Sequence, residues 1–212
     1  MSDTDAYKQA RRDMTASQIV ARGVRDPRVL DAMNRVQRHL FVPERYRREA
    51  YADTPLPIGR DQTISQPYIV AFMSELLRLT GDEKVLEIGT GCGYQTAVLS
   101  LLAREVHSVE IIPELHRVAQ GNLANYTNVH LVQGDGRRGL TNNAPFDRII
   151  VTAAPREMPR ALGGQIAPGG LMVIPIGDDV QDLRVVRREQ GALVSESILP
   201  VRFVPLTGKE IH

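Results

Sequence analysis

From Lys84 to Leu99 the chain reads as a buried strand, a glycine turn and the start of an amphipathic helix. The turn, Gly89-Thr90-Gly91-Cys92-Gly93, has glycine at three alternate positions. Glycine lets the backbone turn sharply and lets a ligand come close to it. A helix beginning there offers unpaired N–H groups and a partial positive charge to whatever occupies the turn. Strand, glycine turn and helix in this order open a nucleotide- or nucleoside-binding α/β domain.

The flanking sequence extends the pattern. Strands are expected at 84–88, 105–109, 129–132, 147–151 and 171–176, and helices at 94–103, 113–125 and 159–166. Strands alternating with helices imply a doubly wound, mostly parallel sheet with helices on both faces. Before it, apolar residues from Ala6 to Val20 suggest a helix stopped by Gly23. Asp26-Pro27 reads as an N-cap with proline in the first turn of a second helix through Val36. Residues 52–67, with three prolines and Gly59, read as a loop, and a helix follows from Pro67 to about Leu79. The tail is rich in β-formers at 183–187, 193–199 and 201–204, with a hairpin about Glu189-Gln190-Gly191.

With 212 residues, this reads as a single domain, 1–212. Residues 1–80 form an N-terminal helical cap with a loop, 81–180 the α/β core and 181–212 a β-rich C-terminal tail. Lys plus Arg total 26 against 25 Asp plus Glu, a net charge of +1 that gives no electrostatic case for nucleic acid. The basic run Arg35, Arg38, His39, Arg45, Arg47 and Arg48 reads first as a solvated face, and second as a patch for an anionic peptide. The polar N-terminus, the lack of a membrane-length apolar run and the single cysteine lead to an expectation of a cytoplasmic protein.

In a parallel sheet the ligand lies beyond the carboxyl ends of the strands, where strand order reverses. Beyond the first strand stands the glycine turn; beyond the second, Glu110, placed to hold ribose hydroxyls. Beyond the third, Asp135 lies between Gly134 and Gly136, able to accept from an adenine amine. A dinucleotide fingerprint needs a third glycine three positions after the second; here Gly91 and Gly93 are two apart. Glu87, inside the first strand, must meet something polar to be tolerated. The amino end of S-adenosylmethionine is one partner; backbone amides of the turn are the alternative. The balance favours a methyltransferase over an NAD-dependent oxidoreductase.

The chain resembles the protein-L-isoaspartate O-methyltransferase family. The segments that carry the likeness include Pro57-Ile58-Gly59, Gln62-Thr63-Ile64-Ser65-Gln66-Pro67-Tyr68 and Val85 to Gly91. Further along they are Gly134-Asp135-Gly136, Ala144 to Asp147, Ile150 to Pro155 and Val201 to Leu206. The resemblance implies methyl transfer from S-adenosylmethionine, leaving S-adenosylhomocysteine, to the α-carboxylate of L-isoaspartyl residues in damaged proteins. The ester then cyclises to a succinimide. It makes Ser65 the active-site serine. Cofactor-binding positions become Thr63, Ile64, Glu87, Gly89, Thr90, Gly91, Gly93, Glu110, Ile111, Asp135, Gly136 and Thr207. Neither a metal, a membrane nor nucleic acid is implied, and a monomer is expected. Arg60-Asp61 and Cys92 depart from the family's common residues.

An isoaspartyl carboxylate, with a pKa of roughly 3 to 4, is already a nucleophile at neutral pH, so no base is required. Ser65 then need only aim it; its alternative role is to cap the helix from Pro67. Histidines 39, 107, 116, 130 and 212 show no metal-ligand spacing. Cys92, at a helix start, is expected to fill space, with a thiol pKa that this position could lower; its oxidation would then block the cofactor. A methyltransferase of small molecules or RNA and a non-catalytic binding module on the same fold are the competing readings.

Overall fold

The computed structural model describes residues 3–208; Met1, Ser2 and residues 209–212, His212 among them, lie outside the described residues. The N-terminal helix is built in three pitches. Helix α1 (Asp5–Met14) passes into a π-helical turn (Thr15–Ile19) and then a 3-10 turn (Val20–Arg22), and Gly23 ends it in the left-handed region at φ 97°. Helix α2 (Pro27–Arg35) starts as its sequence dictates: the Asp26 carboxylate accepts from the backbone N–H of Arg28 and Val29, and Pro27 needs no partner there.

The basic run departs from its expected solvated face. Arg35, Arg45 and Arg48 are exposed, but Arg38 and His39 are buried. Arg38 donates from Nε to the Ala50 carbonyl at 2.7 Å and lays its guanidinium 5.0 Å from the centre of the Tyr94 ring. His39 stacks on Tyr7 at 3.8 Å, and its Nδ1 lies 2.8 Å from the Tyr51 hydroxyl. Both are internal props of the helical cap.

Residues 52–67 are more ordered than a loop. Strands β1 (Leu56–Gly59) and β2 (Gln62–Ile64) pair antiparallel. Arg60 and Asp61 join them with φ of 54° and 57°, the backbone of a two-residue hairpin turn in residues other than glycine. Helix α3 (Pro67–Leu76) follows, stopping short of Leu79.

The core alternates as expected: β3 (Lys84–Ile88), α4 (Tyr94–Ser100), β4 (Glu105–Glu110), α5 (Pro113–Asn122), β5 (Val129–Gln133) and β6 (Phe146–Val151). Then come α6 (Arg160–Gly164), β7 (Ile166–Gly177), β8 (Gln181–Glu189) and β9 (Ala192–Val201). Strand β7 starts earlier than the sequence suggested, and residues 202–204 are not strand. The hairpin between β8 and β9 turns where expected, with Gln190 and Gly191 at positive φ.

The sheet runs β5-β4-β3-β6-β7-β8-β9, parallel from β5 to β7 and antiparallel beyond. Strand order therefore reverses between β3 and β6. Alternate residues feed two cores. Val85, Ile150 and Val173 pack with helices α1 to α5, whereas Leu86, Ile88, Ile149, Val151 and Met172 pack with Leu162 of α6. Each fully buried Leu or Ile contributes about 2 kcal/mol relative to exposure, which fixes the strand ends as a rigid platform.

Candidate active site

The platform's carboxyl ends meet the glycine turn at the reversal point. Gly89, Gly91 and Gly93 have φ of 98°, 56° and 89°, conformations that side chains resist. At Gly89 space demands glycine as well, since a Cβ there would stand 2.4 Å from Thr152 Oγ1; one on Gly91 would meet only the end of the Ile58 side chain of β1, at 3.2 Å. The Thr152 hydroxyl donates to the Gly89 carbonyl at 2.7 Å, tying the end of β6 to the turn.

Three hollows converge here. A cleft of about 780 Å³ is lined by Thr63, Ser65, Gln66, Ile69 and Thr152 on one side and by residues 200–205 on the other. A pit of about 40 Å³ over the turn touches Thr63, Ile64, Ser65, Gly89, Thr90, Gly91 and Thr152. A second pit of the same size touches Gln62, Gly89, Glu110, Ile111, Gly136 and Thr207, among others. Gly89 joins the two pits, and Thr63, Ser65 and Thr152 stand in the wall between the first pit and the cleft.

Ser65 is not the helix cap. Gln66 holds that position, and its side chain reaches instead to Asp53. The Ser65 hydroxyl has no hydrogen-bond partner among the described residues, so it is available at the junction.

Two acids near the turn have opposite settings. The Glu110 carboxylate accepts from the N–H of Gly91 and of Ile112, each at 2.8 Å, and still faces the second pit. A carboxylate has about four acceptor sites, leaving two for a diol. Glu87 is fully buried beneath the turn and lines neither pit. It bonds neither the turn amides nor open space: Oε2 accepts from the hydroxyls of Thr96 and of Ser108, its register partner on β4. Ser108 in turn lies 2.6 Å from the Thr90 hydroxyl. Burial pushes the Glu87 carboxyl up to about 7 against the pull of both hydroxyls, and the Glu110 charge adds to the rise. Its Oε1 has no partner among the described residues.

The other expected positions divide. Asp135 lines neither pit; it accepts from the Arg137 backbone N–H and pairs with the Arg137 guanidinium. Gly93 sits behind the turn, where a Cβ would press on Leu123 at 2.8 Å. Cys92 is buried, and burial pushes its thiol up to about 11, the reverse of the expected lowering. Sequence reasoning missed Gln62 and the individual role of Thr152; the strand-end rule could have found Thr152, which directly follows β6, but not Gln62, which opens the second strand of the separate β1-β2 ribbon.

The sheet also brings together what histidine spacing did not show. Glu105, His107 and His130 share one face at the opposite end of β4 and β5, with ligand atoms within 4.8 Å of one another. The two imidazoles are stacked at 4.7 Å.

The residues at the pits fit an adenosyl sulfonium. A glycine turn with no room for a Cβ at Gly89 and an acid with spare acceptor capacity suit, respectively, close approach and a ribose, whereas Glu87, buried below the turn and lining neither pit, does not reach the ligand directly.

Comparison with known proteins agrees. The family model described as Protein-L-isoaspartate(D-aspartate) O-methyltransferase matches residues 9–211. A protein-L-isoaspartate O-methyltransferase of a Picosynechococcus species is 52% identical over 93% of this chain and 90% of its own. Another, from an Anaeromyxobacter species, is 55% identical over 90% of this chain and 92% of its own. A solved protein-L-isoaspartate O-methyltransferase is 29% identical, with a TM-score of 0.86 over 93% of this chain; this chain spans 66% of that one. A Plasmodium falciparum structure assigned to the same enzyme class and solved with S-adenosyl-L-homocysteine is 22% identical, with a TM-score of 0.81, a likeness of fold.

Proposed function

The chain belongs to the protein-L-isoaspartate(D-aspartate) O-methyltransferase family, and from that premise we propose that Ser65 aims the acceptor carboxylate across the wall between cleft and pit. The reaction is transfer of a methyl group from S-adenosyl-L-methionine to the α-carboxylate of L-isoaspartyl residues in damaged proteins and peptides. The ester then closes to a succinimide, whose hydrolysis returns aspartyl.

One observation carries the assignment of roles. Thr63, Ser65 and Thr152 are shared by the cleft and the pit over the glycine turn, so a group held in one can reach a group held in the other only past these hydroxyls. Bound at the turn, S-adenosylmethionine supplies an electrophilic methyl whose leaving group is a neutral thioether. We assign its contacts to Thr63, Ile64, Gly89, Thr90, Gly91, Ile111, Gly136 and Thr207, with Glu110 accepting from the ribose. Glu87 props the turn from below, through Ser108 and the Thr90 hydroxyl, rather than touching the ligand, and Gly93 only shapes the turn. The engagement of Asp135 by Arg137 leaves it as a prop for the second pit rather than an adenine contact.

The acceptor needs no base, since its carboxylate is ionised at neutral pH. Ser65 Oγ donates to one carboxylate oxygen and leaves the other directed at the methyl. The contribution of the chain is alignment and exclusion of water. The finer expectations of a cytoplasmic monomer belong to the same reading. Cys92 is buried and free, and the exposed large apolar side chains among the described residues are Leu40, Val118, Val180, Leu193 and Val194. No helix of the described residues is long and apolar enough to cross a membrane.

The test pairs an isoaspartyl peptide with its aspartyl twin and labelled methyl donor. Label on the first and essentially none on the second is expected; equal labelling, or none, defeats the proposal. Ser65→Ala should lower turnover roughly tenfold to a hundredfold with cofactor affinity little changed. An unaltered rate removes Ser65 from the mechanism.

A further inference from the structure

The cleft beside Ser65 is almost uncharged. Among the described residues that line it, only Arg202 carries a formal charge. The side chain of Arg202 is exposed and has no ion pair or hydrogen bond among the described residues. Its backbone, in contrast, is firmly held. The buried amide of Gln181 on β8 grips the next residue from both sides, accepting from Phe203 N–H at 2.6 Å and donating to the Phe203 carbonyl at 3.1 Å. One residue further on, the Val204 carbonyl accepts from the N–H of Ala154, three residues beyond β6, at 2.8 Å. A cation with no partner among the described residues is thus mounted on an anchored segment, lining the same cleft as Ser65.

We propose that Arg202 is the charge-matching residue of the acceptor cleft, drawing in and holding the free carboxylate of the isoaspartyl residue before methylation. This rests on the methyl-transfer reading given above. Every acceptor must bring that one anion, and the cleft offers one cation to meet it. A guanidinium presents paired N–H donors in the geometry a carboxylate accepts. Ser65 is a single neutral donor and can orient a carboxylate, but it cannot compensate its charge.

The pairing has a chemical consequence. Methylation turns the carboxylate into a neutral ester, so the interaction that favours the substrate is cancelled in the product. Arg202 therefore gives the cleft a preference for the unmethylated acceptor, and it promotes release of the ester.

The experiment compares wild type, Arg202→Gln and Arg202→Lys with an isoaspartyl peptide as substrate. The competing inhibitor is the same peptide with the α-carboxylate replaced by a carboxamide. Arg117→Gln, on the exposed face of α5, makes the same change in net charge away from the cleft. Arg202→Gln should raise KM roughly tenfold, between the small effect of an exposed ion pair and the larger one of a dried one. The kcat should change less than threefold, and Arg202→Lys should recover part of the loss. Wild type should bind carboxylate over carboxamide by a factor that falls about tenfold in Arg202→Gln, and added salt should raise KM more in wild type. An unchanged KM and an unchanged carboxylate preference in an active Arg202→Gln enzyme would overturn the inference while leaving the reaction intact. So would the same shift in Arg117→Gln. A wild type that methylates neither isoaspartyl nor aspartyl peptide would instead overturn the reading beneath it.

Discussion

Replacing Glu87 by glutamine should change how stability depends on pH. Glu87 is fully buried, and its carboxyl titrates near 7 in the folded chain against 4.5 for the free side chain. Below pH 4.5 both the folded and the unfolded states hold the proton, and the site costs nothing through ionisation. Above pH 7 the folded chain must keep a charge out of water while the unfolded chain does not. Between those limits the native state binds more protons, so this group's contribution falls as pH rises. The gap corresponds to about 3 kcal/mol at full ionisation. Glutamine keeps the shape and the acceptor for Thr96 and Ser108 but has no proton to lose. Urea unfolding of both proteins at intervals from pH 4.5 to 8.5 isolates the difference, because every other titrating group cancels. Relative to wild type, Glu87→Gln should gain about 2 to 3 kcal/mol across that range, or roughly 4 to 12 °C in Tm for a chain of this size. A difference that stays flat within about 1 kcal/mol would refute the argument that burial holds the proton on Glu87.

Two further perturbations test the turn. Gly89→Ala puts a Cβ 2.4 Å from Thr152 Oγ1 at φ 98°, and should cost about 1 to 3 kcal/mol in stability as well as most cofactor affinity, read by thermal unfolding and calorimetry. A variant as stable and as tight-binding as wild type would show that the turn is less constrained than its geometry implies. Cys92, buried with a thiol pushed up to about 11, should react with iodoacetamide at pH 8 at least roughly a hundredfold more slowly in the folded chain than in urea, and mild peroxide should leave cofactor affinity unchanged. Equal alkylation rates in the two states would mean that the thiol is accessible.

What the sequence made legible follows physical lines. The α/β core was readable because parallel strands buried on both faces are continuous apolar runs, and because glycine turns and proline-led helices punctuate them. The β1-β2 ribbon was not, since Pro55, Pro57 and Gly59 mimic a loop, and its turn uses Arg60 and Asp61 in place of Asn-Gly. Arg38 and His39 show a second limit: a charged residue reads as exposed until its partners are known, and theirs are the distant Ala50, Tyr94, Tyr51 and Tyr7. At the site, the pit-facing positions after β3, β4 and β5 followed from the strand-end rule, whereas Thr63, Ile64 and Thr207 came from the family resemblance. Which acid faces the pit and which lies below it depends on cross-strand register, as with Glu87 and Ser108, and composition does not encode that register. The family resemblance supplied Ser65; the structure supplied its freedom from capping.

The second pit has a consequence for folding. Its walls come from β2, the ends of β3, β4 and β6, the turn after β5, and the segment about Thr207, which spans most of the described chain. Such a site has very high contact order: no contiguous fragment contains it, and no local nucleus assembles it early. A ligand held there is bound by the finished topology alone. Its binding free energy therefore weighs against global unfolding rather than against the opening of any single element.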